Sequence, residues 1–270
     1  MTILRLRWIF YRLALHTLAL VAWTTVAGGH ASYGQSPPYH GTIFLEPKIL
    51  TDDDPSSYFG LRDAGTGRRR MFDRRANDWV EVEALLFSAE FDDQQTIEVQ
   101  VNPEFDRETA RKEAEFYALV IGRLPRCLRD QVKTVWIHAG KKLFGGGNRN
   151  LLIHTEQGKE YLKDGILEET LCHEASHTSL DGIHARSDRW RTAQSLDNAF
   201  ISKYAKENPE REDVAETFLL YLALTHRRDR ISEELATTVS TTVPNRLKYF
   251  EGIDWDLYPM KKKEIKKESD

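Results

Sequence analysis

The segment His173-Glu174-Ala175-Ser176-His177 constrains this chain more than any other feature, because two histidines four residues apart on a helix project from one face. Leu167, Leu171 and Ala175 form an i, i+4 row about 200° away around the same helix, so one side packs while the other faces a cleft. Asp181-Gly182 supplies a helix stop. The pattern is HExxH: two imidazoles that can reach one ion, with a carboxylate, Glu174, beside them. A fold that uses such a pair has to bring a third donor back from a distant part of the chain.

A catalytic zinc takes three protein ligands and keeps one position open for water. The chain has only two cysteines, Cys127 and Cys172, so a four-cysteine site is excluded and the donors must be histidine and carboxylate. Whether the two cysteines pair is left open by the sequence. His184 lies near the third-histidine position of HExxHxxGxxH, but that register asks for histidine at 183 and glycine at 180, where this chain has Ile183 and Leu180. Asp181, one turn beyond His177, would have to reach back past a filled ligand position. Glu212 is the preferred third ligand. It opens a second helix running to about Thr225, with Ala215, Phe218, Leu219 and Leu222 as its apolar face. Glu216, one turn later, is placed to accept the remaining N–H of a histidine ligand and fix its tautomer.

The rest of the 270-residue chain frames this helix pair. Arg5, Arg7 and Arg12 precede an apolar run over 13–27 followed by small residues, so 1–31 reads as a cleavable signal peptide and the mature chain as secreted or periplasmic, with no stable membrane insertion. With 38 basic against 42 acidic residues, the net charge of −4 and the lack of a basic stripe speak against a nucleic-acid partner. One α+β domain is expected over 39–258, β-rich over 39–105 and catalytic over 106–258. A small twisted sheet should cover the histidine helix, and a mainly helical C-terminal part should return Glu212. Residues 261–270 form a charged tail.

Strands are expected at 41–45, 79–83, 96–101, 132–138 and 151–155, with 51–67 as loop and a helix from Asp106 to Pro125. Gly145-Gly146-Gly147 lacks the ending of a phosphate loop and reads as a turn between strands. His138 and His154, each in a strand, read as packed residues rather than ligands.

The combination of His173-Glu-x-x-His177 with Glu212-Asp-Val-Ala-Glu216 resembles the gluzincin metallopeptidases, and Ala215-Glu-x-Phe218 is similar to the catalytic domain of anthrax lethal factor. A group of exported bacterial zinc-dependent peptidases resembles the chain over most of 75–250. The shared segments include Phe144-Gly-Gly-Gly-Asn148, Leu152-Ile-His-Thr155, His177-Thr-Ser-Leu-Asp181 and Ile201-Ser-Lys-Tyr-Ala205. The resemblance implies a zincin-like fold and an edge strand at Leu151–Thr155 along which a peptide or protein substrate lies. It also implies an oxyanion-stabilising role for Tyr204, one residue out of register with lethal factor. The expected activity is peptide-bond hydrolysis at a Zn2+ held by His173, His177 and Glu212, with Glu174 as general base and His184 as second choice for the oxyanion. The alternatives are a non-catalytic zinc-binding protein on a peptidase scaffold and a zinc hydrolase of another amide bond.

Overall fold

The computed structural model describes residues 35–42 and 49–262. The signal segment, most of the apolar run at 41–45 and tail residues 263–270 lie outside them. Ten α-helices and one six-stranded mixed sheet make up the described residues, an α+β arrangement. The strands are β1 (Tyr58–Asp73), β2 (Asp78–Phe91), β3 (Thr96–Val101), β4 (Thr134–His138), β5 (Gly145–Gly147) and β6 (Asn150–His154), in the spatial order β1-β2-β3-β4-β6-β5. β1 to β3 form an antiparallel meander, β3, β4 and β6 run parallel, and β5 turns back antiparallel on β6.

Three expectations are corrected here. Most of the stretch 51–67 is strand: β1 pairs with β2 along nearly its whole length, and irregularities between Tyr58 and Gly60 and between Asp63 and Thr66 absorb its turn-like Gly and Asp residues. The glycine run is also strand. β5, not β6, forms the sheet edge, and the turn lies at Asn148-Arg149, whose φ values of 50° and 61° build the tight two-residue hairpin between them.

The parallel crossover from β3 to β4 is α1 (Arg107–Gly122), capped by Asp106, whose side chain accepts from the Thr109 N–H. Its buried face, including Ala110, Ala114, Ala118 and Ile121, packs on the sheet. After the single turn α2 (Arg126–Arg129) and β4–β6, α3 (Thr155–Asp164) leads into α4 (Leu167–Ser179). Leu167, Leu171 and Ala175 are fully buried, as the packed row requires. α4 lies between the sheet edge and α8 (Glu212–His226), whose residues from Glu212 to Ala223 are all buried. Between them in sequence come α5 (Asp181–His184), α6 (Asp188–Leu196) and α7 (Lys203–Glu207), while α9 (Glu233–Thr242) and α10 (Pro244–Glu251) close the C-terminal part. No helix among the described residues is long and apolar enough to cross a membrane.

Candidate metal centre

α4 and α8 bring together the residues that the spacing argument selected. His173 Nε2 lies 3.1 Å from His177 Nε2 and 3.4 Å from Glu212 Oε2, and His177 Nε2 lies 3.2 Å from the same oxygen. Ligands at about 2.0–2.1 Å from a tetrahedral ion stand about 3.3 Å from one another, so this near-equilateral triangle fits three corners of such a site. All three side chains are buried, and they form a group that can hold a metal ion.

The electrostatics follow from that triangle. Burial works against ionising Glu212, but hydrogen bonds from both histidines overcome it and hold the carboxyl far below its ordinary range. Burial likewise opposes charge on His177, yet hydrogen bonds to Asp181 and Glu212 keep the ring protonated up to about 10. The carboxylates at its two nitrogens favour positive charge on the His177 ring.

Asp181 is not a ligand. Its Oδ2 accepts from His177 Nδ1 at 2.8 Å, fixing the tautomer that leaves Nε2 for the cluster. Glu216 does not reach a histidine: its Oε2 accepts from the Ser202 hydroxyl, the N-cap of α7, and Thr42 supplies a second side-chain hydrogen bond. His173 Nδ1 and Glu216 Oε1 are both buried with no hydrogen-bond partner among the described residues. His184 is neither ligand nor oxyanion donor in this arrangement. Its Nδ1 meets the Tyr249 hydroxyl at 2.7 Å and its ring packs edge-on against Tyr249 and Trp255.

A cleft of about 420 Å³ opens over the triangle, and Glu174, Tyr204, Arg74, Phe144 and Tyr161 contribute to its walls. The Glu174 carboxylate has no hydrogen-bond partner among the described residues, and Tyr204, 40% exposed, donates from its hydroxyl to Glu212 Oε1 at 3.0 Å. A larger cavity of about 690 Å³, bordered by Tyr221, His226 and Trp255, lies elsewhere and holds no comparable group of metal donors among the described residues.

The sheet edge is fastened to α4. The Thr178 hydroxyl accepts the Gly147 N–H at 2.8 Å and donates to the Asn150 carbonyl at 2.9 Å. A Cβ at Gly146 would stand 1.8 Å from the Glu174 carbonyl oxygen, so only glycine lets β5 lie this close to the helix backbone. Sequence reasoning missed the Asp181, Ser202 and Thr178 contacts; the i, i+4 spacing of His177 and Asp181 was the one available signal. Cys127 and Cys172 are free thiols, and burial pushes the first up to about 12 and the second well above its ordinary value.

Comparison with family models, with curated proteins and with solved structures gives no match.

Proposed function

We propose that this chain is an exported zinc-dependent peptidase of gluzincin type with a zincin-like fold. The observation that carries this reading is the buried triangle of His173, His177 and Glu212 donors, with a cleft on its open side that also holds Glu174 and Tyr204. The two-nitrogen, one-carboxylate donor set suits zinc, and three protein donors leave a position for solvent, unlike a structural site that closes all four. A zinc ion there supplies a Lewis acid that acidifies water and polarises a carbonyl.

The protein's own groups supply the rest. Glu174, half-buried and with its carboxylate unpaired among the described residues, takes the proton from the attacking water and returns it to the amine that leaves when the amide C–N bond breaks. Amide nitrogen leaves poorly unless protonated, so one carboxylate serving first as base and then as acid answers both needs. Tyr204, whose hydroxyl donates to Glu212 in the structure, lines the cleft and becomes a donor for charge developing on the carbonyl oxygen when it releases that carboxylate. Asp181 fixes the His177 ring, and the antiparallel edge β5 offers backbone groups to an extended peptide.

Hydrolysis of a peptide library by the purified protein should be abolished by chelator and restored by zinc. Glu174→Gln should retain zinc and fold while losing about 10²- to 10⁴-fold in kcat/KM. Undiminished turnover in that variant would remove Glu174 as the base. Stoichiometric zinc without chelator-sensitive cleavage would instead support a binding protein on a peptidase scaffold.

A further inference from the structure

The hairpin that joins β1 to β2 carries a run of arginines, and all but one face an evident partner. Arg68 pairs with Glu81, Arg69 with Glu98, and Arg75 with both Asp73 and Glu104, while Arg70 lies over the Trp79 ring. Arg74 has no carboxylate partner among the described residues and is only partly exposed, and it lines the cleft above the metal donors. Its guanidinium lies across the sheet edge: a Cβ at Gly145 would come within 2.7 Å of Nη2. Leu143, Phe144 and Tyr161 give the surrounding wall an apolar character. A planar, permanently charged fork that is partly desolvated and unpaired beside a substrate channel is matched to a carboxylate.

We propose that Arg74 is a specificity-determining residue that binds a substrate carboxylate close to the scissile bond. This rests on the peptidase reading above. The carboxylate can belong to an Asp or Glu side chain or to a free C-terminus.

The test compares zinc-loaded wild-type protein with Arg74→Gln and Arg74→Glu on matched fluorogenic peptides. One set varies Glu, Gln and Lys at the positions on either side of the scissile bond, and a second ends one or two residues after it as free acid or amide. Wild type should prefer the carboxylate peptides. Arg74→Gln should lower the ratio of kcat/KM for carboxylate over neutral peptides by about 10- to 100-fold, and Arg74→Glu should turn the preference toward Lys. Dependence on the Glu peptide identifies a side-chain carboxylate, and dependence on the free acid identifies the terminal one. Fluorescence anisotropy of the same peptides on Glu174→Gln protein, with and without the Arg74 substitutions, gives a readout independent of turnover. Equal cleavage and equal binding of carboxylate and neutral peptides by wild type would overturn the role of Arg74 and leave the peptidase reading standing. Absence of chelator-sensitive cleavage would overturn that reading, and the anisotropy would still decide whether Arg74 holds a carboxylate. Because Arg74 has no ion-pair partner among the described residues, its replacement strands no buried carboxylate, and melting curves should match wild type.

Discussion

His138 and His154 sit opposite one another on the parallel strands β4 and β6, whereas His173 and His177 sit one turn apart on α4. Both pairs are buried and both bring two rings into contact. On the strands the rings stack, with centroids 5.4 Å apart and planes at 25°, so their faces meet. On the helix the planes stand at 86° and the two Nε2 atoms converge to 3.1 Å. The partners differ as well. His138 Nδ1 accepts from the Asn102 amide, His154 Nδ1 donates to the Ala139 carbonyl, and the nearest carboxylate, Asp73, is 3.8 Å from His138 and engaged by Arg75. His177 has a carboxylate at each nitrogen. Burial therefore wins on the strands and drives His138 down to about 4, but loses on the helix, where His177 rises to about 10. Burial alone does not make a neutral histidine or a ligand; the placement of carboxylates around it decides.

Breaking the helix pair should have the largest effect. Glu212→Gln or His177→Ala should lose stoichiometric zinc, measured by elemental analysis after dialysis, while His138→Asn should keep it. Zinc at a thousand times its dissociation constant adds about 4 kcal/mol to stability, and the resulting rise in Tm should be absent from Glu212→Gln. Retention of zinc by Glu212→Gln, or its loss from His138→Asn, would collapse the contrast.

The strand pair should show itself in acid. The folded-state pKa of His138 lies below its ordinary 6.5, so between pH 6.5 and about 4 the unfolded chain binds a proton that the native state refuses. Its contribution is full above 6.5 and is lost as pH falls, by on the order of 3 kcal/mol across that window. His154 shifts in the same direction, again chiefly through burial. Denaturant titrations at pH 7 and pH 4.5 should give a smaller acid loss for His138→Asn than for wild type. Equal losses would mean that the ring is already solvated or protonated in the native state.

The metal triangle was legible in the sequence because it depends on helical periodicity, which fixes where His173 and His177 point, and on an acidic residue opening a second apolar helix at Glu212. Asp106 as a helix cap and the strand at Thr96–Val101 were legible for the same local reason. β1 was not, since a ribbon strand exposed along much of its length carries Arg, Asp and Gly and becomes a strand only by pairing with β2. Nor was β5: glycine disfavours strand, and the triplet is held by β6 and by close approach to α4, neither of which leaves a local trace. Asp181 was weighed as a ligand when its spacing from His177 equally allowed a hydrogen bond to the far ring nitrogen. The position of Arg74 depends on where a hairpin turn aims it across a distant glycine.

The smallest effect should come from the residue that separates the two pairs most subtly. Asp181→Asn keeps size and hydrogen-bonding capacity but removes the charge that stabilises a cation at His177 and permits the amide to present either its oxygen or its nitrogen to Nδ1. Zinc affinity, measured by chelator competition, should fall by about 10- to 100-fold with zinc still bound at saturation. Asn102→Ala, which removes the amide from His138, should leave zinc affinity unchanged. Asp181→Glu distinguishes positioning from charge: partial recovery of affinity means the negative charge matters wherever it reaches the ring, and no recovery means that the geometry of the 2.8 Å contact carries the effect. Affinity equal to wild type in Asp181→Asn would show that the orientation of His177 is already fixed by packing between α4 and α8, and that the carboxylate at its outer nitrogen contributes nothing to metal binding.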